Sequence, residues 1–223
     1  MIKAKELSLE DLLGRRLNDV EQRYAPGLLY ASGSLEIPLP SPRVSVVGTR
    51  EASEPGKERA RFIVKELVKA DIITVSGLAR GIDTAVHEAT LEFGGKTVAV
   101  LGTPLDRFYP PENAELQKRL MSEQMVISQF PVGHKTSPKD FVIRNRTMAL
   151  ISDATIIVEA RERSGTVSQG WEAIRLGRPL YISEPLVEAG LSWVKSMQWY
   201  GARVLRDVDQ VIEEISFPME RPL

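Results

Sequence analysis

Cysteine is absent from the 223-residue chain. Disulfides, thiolate zinc sites and a cysteine nucleophile are excluded together. Histidine occurs only at positions 87 and 134, and no paired acids stand at a useful spacing, so hydrolytic and metal chemistry find little support. No apolar run approaches the roughly 20 residues of a spanning helix. The stretch from Met1 to Tyr30 mixes both charge signs and lacks the apolar centre of a leader peptide. The formal net charge is -1, so no global basic field advertises nucleic acid, and any such binding needs a local patch. These absences lead us to expect a soluble cytoplasmic protein without a membrane partner.

Hydrophobic residues make up 43% of the chain, enough for a full core. The stretch Val44-Ser-Val-Val-Gly-Thr-Arg50 organises the rest. It reads as a buried parallel strand feeding a helix from about Ser53 to Ala70 through a glycine turn. Such a turn presents backbone N–H groups to an anion, and the guanidinium of Arg50 is placed to fork onto a phosphate.

Strand and helix patterns then alternate. Strands are expected at Ile72–Val75, Thr97–Leu101, Met125–Ser128, Ala154–Glu159 and Leu180–Ser183. Helices are expected over Thr84–Phe93 with Asp83 as N-cap, Ala114–Glu123, Val142–Ile151 after a long loop, Val167–Leu176 and Leu191–Tyr200. A strand at Ala202–Leu205 and a helix near Val208–Ile215 complete the tail. The fold class is α/β, an extended Rossmann-like and mainly parallel sheet with helices on both faces. Residues 1–27 form a short helical lead-in, with Ser8 capping Leu9–Leu17, and residues 28–223 form the main domain.

Ligands in such sheets bind beyond the carboxyl ends of the strands. Gly48-Thr49-Arg50, the loop from Ser76 to Asp83, the loop from Gly102 to Tyr109 and Ser164–Thr166 all fall there. Neither G-x-G-x-x-G nor a G-K-[ST] ending is present, which argues against dinucleotide cofactors and P-loop chemistry. No cofactor is expected. Arg80 is bracketed by two glycines and reads as a second phosphate contact. A basic island runs from His134 to Arg146, with Lys135, Lys139, Arg144 and Arg146 against Asp140 alone. Phe141 lies within it, either as core or as a surface for a stacked base. Asp83 reads as a cap, His87 as packing, and His134 has no evident carboxylate partner. Trp171, Trp193 and Trp199 read as packing or interface residues.

Taken together, Val-Val-Gly-Thr-Arg50, Ser76-Gly-Leu-Ala-Arg-Gly-Ile-Asp83, Tyr109-Pro-Pro-Glu-Asn113, Phe141-x-x-Arg-Asn-Arg146 and Val158-Glu-Ala160 with Ser164-Gly165 resemble the DNA-processing protein A (DprA/Smf) family from about Leu28 to Ile215. The resemblance implies a Rossmann domain that binds single-stranded DNA, a homodimer, and a role in loading a RecA-type recombinase during DNA uptake. It implies a phosphate pocket at Gly48, Thr49, Arg50, Ser76, Gly77 and Arg80. Lys139, Arg144 and Arg146 would line the DNA path. No convincing catalytic constellation is present in the sequence, so no enzymatic activity is expected. Two other readings share the phosphate donors: a small-nucleotide sensor, and a LOG-like nucleotide phosphoribohydrolase. The latter's P-G-G-x-G-T-x-x-E signature is matched here by Arg163-Ser-Gly165-Thr166-Val-Ser-Gln169, with an amide where the essential carboxylate belongs.

Overall fold

The computed structural model describes residues 4–216. In chain order the elements are β1 Lys5–Leu7, α1 Leu9–Leu13, α2 Asp19–Tyr24, β2 Leu29–Gly33, β3 Arg43–Gly48, α3 Glu54–Lys69, β4 Ile73–Ser76, α4 Ile82–Glu92, β5 Thr97–Leu101, α5 Ala114–Glu123, β6 Met125–Ser128, α6 Pro138–Ile151, β7 Ala154–Glu159, α7 Thr166–Arg175, β8 Leu180–Ser183, α8 Glu184–Glu188, α9 Ser192–Trp199, β9 Arg203–Leu205 and α10 Asp209–Ser216. They build a nine-stranded sheet in the order β1-β2-β6-β5-β4-β3-β7-β8-β9. The pairs from β6 through to β9 are parallel, while β1–β2 and β2–β6 are antiparallel.

Alternation along β3 sorts the core into two faces. Val44 and Val46 pack with Ala60, Ile63, Val64 and Leu67 of α3 and with Val86 of α4. Val47 points the other way, into a cluster with Met148 and Ile151 of α6 and Trp193 of α9. The α3 stripe is the one its spacing anticipates. From β3 the chain steps to β4, β5 and β6, then returns to place β7 on the far side of β3. The strand order reverses between β3 and β7, and a crevice opens at their carboxyl ends. Gly48 and Glu159 pair there, after a register shift between Val47 and Gly48.

Local differences from the expected elements have identifiable causes. The first helix stops at Leu13 because Gly14 turns left-handed (φ 66°) and returns its N–H to Glu10 O at 2.8 Å. The lead-in holds a strand as well as two helices, and Leu7, Leu9, Leu12 and Leu13 join the main core cluster. Asp83 is not the cap of α4. Gly81 is, with φ 79°, because a Cβ there would stand 2.3 Å from Thr49 O. Helix α6 begins at Pro138, earlier than its apolar pattern suggests; proline is favoured in a first turn. The short helix α8 was not anticipated. Among the described residues no helix is long and apolar enough to cross a membrane.

Candidate functional site

The loops after β3, β4, β5 and β7 converge at the crevice, but the backbone donors expected there are largely taken. Thr49 N donates to Glu159 O at 2.7 Å. At the start of α3, the Glu159 carboxylate accepts from Ser53 N and from Ser53 Oγ, both at 3.1 Å. Gly56 N is turned onto Ser53 Oγ (3.0 Å), and Pro55 has no N–H to offer. At α4, Ile82 N donates to Thr49 O at 3.2 Å. An acidic side chain and neighbouring carbonyls thus engage Thr49 N, Ser53 N and Gly56 N within the crevice expected after Gly48.

Beneath the crevice lies a buried polar floor. Arg144 is 5% exposed. Its Nη1 donates to Gly77 O and to Val100 O (2.6 Å), and its Nε to Asn145 Oδ1 (3.1 Å). Asp83 faces it across Gly77, where a Cβ would stand 2.4 Å from Arg144 Nη1 and 2.7 Å from Asp83 Oδ2. Only glycine fits between them. Burial raises the Asp83 pKa against the pull of Arg144. Burial likewise lowers that of Arg144, with Asp83 opposing and Arg50 adding to the fall. The pair is thus costly to ionise and tied in place by hydrogen bonds. Ser76 is fully buried and spends its hydroxyl on Val46 O at 2.8 Å. Ser76, Gly77 and Arg144 form this floor and do not reach the surface.

The surface above it is cationic and aromatic. Arg50 is exposed, with its guanidinium 5.6 Å from the Phe141 ring centre. Phe141 and Tyr109 are tilted at 50° with centroids 5.5 Å apart. Phe141 can lie there because Gly102 has no side chain; a Cβ would meet the ring at 2.5 Å. Lys139 is exposed two residues before Phe141 in α6, about 200° round the helix from it, and in no ion pair among the described residues. Arg80 is exposed and 3.4 Å from Glu112. Helical geometry, about 100° per residue, puts Arg144 on the opposite side of α6 from Lys139 and Arg146. Arg146 binds Glu172 at 3.1 Å and lies over Tyr24, far along the helix from the aromatic cluster. The basic island is therefore not one continuous strip.

Some participants were missed from sequence. The role of Glu159 is the main one: the residue stands in the Val158-Glu-Ala160 motif, and only the strand order reveals that it sits at the switch point. Tyr109 was noticed as part of a motif and not as an exposed ring. His134 does have a carboxylate partner: its Nε2 lies 2.8 Å from Asp140 Oδ2, which also accepts from Ser137 N at 2.7 Å. These bonds hold the Asp140 carboxyl below its usual range in spite of burial. Gln169 is buried with no partner for its amide, and Glu172 is committed to Arg146 and Arg175. Among the described residues no cluster of three metal-ligating side chains exists.

The family model of DNA recombination-mediator protein A matches residues 10–216. The chain belongs to that family. It is 36% identical over 201 residues to the DNA processing protein DprA of Streptococcus pneumoniae, covering 89% of this chain and 71% of that one. The X-ray structure of that protein superposes with a TM-score of 0.79 at 31% identity, over 96% of this chain and 75% of that chain. Protein Smf of Synechocystis is 38% identical over 70% of this chain, which spans only 40% of it. A DNA processing protein A from Helicobacter pylori, whose structure concerns its own single-stranded DNA binding mode, shares the fold with a TM-score of 0.77 at 21% identity, over 98% of both chains.

Proposed function

We propose that this member of the recombination-mediator family binds single-stranded DNA across the Arg50–Phe141–Tyr109 surface, acting as a homodimer in the cytoplasm and passing the strand to a RecA-type recombinase. The observation that carries the reading is the exposed guanidinium of Arg50 over Phe141, with Tyr109 beside it. Rings that stack on bases, flanked by cations that meet phosphates, suit a single strand whose bases are accessible. Duplex DNA offers no open base faces to such rings. In this reading Gly48 and Thr49 shape the crevice wall, and Ser76, Gly77 and Arg144 hold the floor that aims the Phe141 helix. Arg80 stands at the rim in an ion pair with Glu112, which a strand phosphate would have to displace.

The test is fluorescence anisotropy with labelled oligo-dT of increasing length, with duplex and free nucleotide as competitors. Affinity should rise with length and fall steeply with salt. Arg50→Ala should weaken binding by roughly 1–3 kcal/mol, the worth of a hydrogen bond to a charged group. Unchanged affinity in a folded variant would remove Arg50 from the site. A catalytic reading has less support. Of the acids near the loops, Glu159 caps a helix and Glu172 is paired twice.

A further inference from the structure

We infer that Glu159 is a specificity residue: its carboxylate occupies the position where a terminal phosphate would settle, so the crevice rejects free nucleotides and 5′-phosphate ends and admits internal phosphodiesters. The inference deepens the strand-binding reading and rests on it for the identity of the favoured ligand.

Glu159 ends β7 at the place where the strand order reverses around β3. In a doubly wound sheet that place and the following helix N-terminus receive a nucleotide's phosphate. Here the start of α3 is accessible, with Ser53 exposed. Yet the Glu159 carboxylate already lies on Ser53 N and Ser53 Oγ at 3.1 Å. The fit is close: a Cβ on Gly56 would stand 1.8 Å from Glu159 Oε2, so the helix leaves out a side chain to admit the carboxylate. The backbone at this residue is held as well, since Glu159 O accepts from Thr49 N at 2.7 Å. The anion site of the fold is thus built, and an internal anion fills it.

A phosphomonoester is close to a dianion at neutral pH. Approaching α3 it meets the Glu159 carboxylate and finds Ser53 N and Gly56 N already engaged. Like charges at such range disfavour each other strongly. An internal phosphodiester carries a single charge and does not need this position. It can be held by the exposed guanidinium of Arg50 further out. The same fold thereby separates strand from nucleotide by one carboxylate.

The experiment measures binding of dTMP by calorimetry and of labelled oligo-dT, with and without a 5′-phosphate, by anisotropy. Three forms are compared: wild type, Glu159→Gln and Glu54→Gln. Glutamine keeps an oxygen acceptor for Ser53 and loses the charge. Glu54 lies in the same helix turn, 79% exposed and paired with Lys57, and controls for a general loss of negative charge. The expected result is a dTMP affinity at least tenfold higher in Glu159→Gln than in wild type, a change under twofold in Glu54→Gln, and a 5′-phosphate effect under twofold in wild type. Equal dTMP affinity in wild type and folded Glu159→Gln overturns the inference. An equal rise in Glu54→Gln, or a tenfold preference of wild type for 5′-phosphorylated strands, overturns it also. Should Glu159→Gln not fold, the 5′-phosphate comparison in wild type decides. Failure of wild type to bind any oligo-dT refutes the strand-binding reading instead, while the dTMP titrations still read Glu159 directly.

Discussion

Two arginines near the crevice differ in what they have spent. Arg144 is enclosed, with guanidinium donors committed to Gly77 O, Val100 O and Asn145 Oδ1. Arg50 is in solvent, with no hydrogen bond among the described residues and only the Phe141 ring beneath it. Both occur in loops or helices that the same basic pattern would mark for phosphate. The difference shows that a cation's availability, and not its presence, separates a contact residue from a scaffold residue. At the β9 edge of the sheet a groove of about 1600 Å³ holds both kinds: Arg178 and Arg203 are paired with Glu21 and Glu214, while Arg206 is in no ion pair among the described residues.

The comparison breaks most visibly at Arg144. Arg144→Ala leaves Asp83 buried without its counter-charge and strips two strand-end carbonyls of their donor. We expect a stability loss of about 3–5 kcal/mol, the usual cost of deleting one buried charged partner, read as a fall in the urea midpoint. Adding Asp83→Asn to Arg144→Met should recover much of it, since burial already works against both charges. A loss under 1 kcal/mol in Arg144→Ala would mean the residue is not a scaffold element. Arg50→Ala, by contrast, should stay within about 0.5 kcal/mol of wild-type stability, as surface changes do.

The buried side of the comparison also titrates. His87 is fully buried with Nδ1 2.8 Å from Thr97 Oγ1. Burial, with help from the positive charge of Arg144, lowers its pKa from 6.5 to about 3. Between those values the unfolded chain binds a proton that the folded protein refuses, so stability rises with pH in that window. The contribution is fully present above pH 6.5 and is lost as pH falls toward 3. From pH 7.5 to 4.5 the loss should be about 3 kcal/mol from this group. Urea midpoints at the two pH values, compared with those of His87→Asn, check it. An equal pH dependence in the variant would remove His87 as the cause.

Much of the fold was legible because the buried strands are short apolar runs with turn residues at both ends. Thr97–Leu101, Met125–Ser128, Ala154–Glu159 and Leu180–Ser183 match the expected spans. Strand order was not legible, and with it went the meaning of Glu159. Its neighbour across the sheet, Gly48, is 111 positions earlier in the chain, a pairing no local pattern encodes. The loop arginines were found by type, but their burial was not. Residues 139, 144 and 146 sit close in sequence, and only the phase of α6, fixed by its start at Pro138, sends them to different surroundings.

The smallest expected effect sharpens the comparison within α6 itself. Lys139 and Arg146 lie on one stripe of the helix, two turns apart. Lys139 is unpaired, whereas Arg146 is bonded to Glu172 and covered by Tyr24. Removing Lys139 should lower the slope of log K against log salt by about 0.7, the share of one phosphate contact on a single strand. Removing Arg146 should leave that slope alone, because a cation already neutralised by Glu172 releases no counterion from the strand. Anisotropy titrations of oligo-dT from 50 to 300 mM salt resolve the two cases. An equal drop in both variants would show that Glu172 gives up Arg146 to the strand. Partner occupancy would then be a weaker guide to binding than exposure.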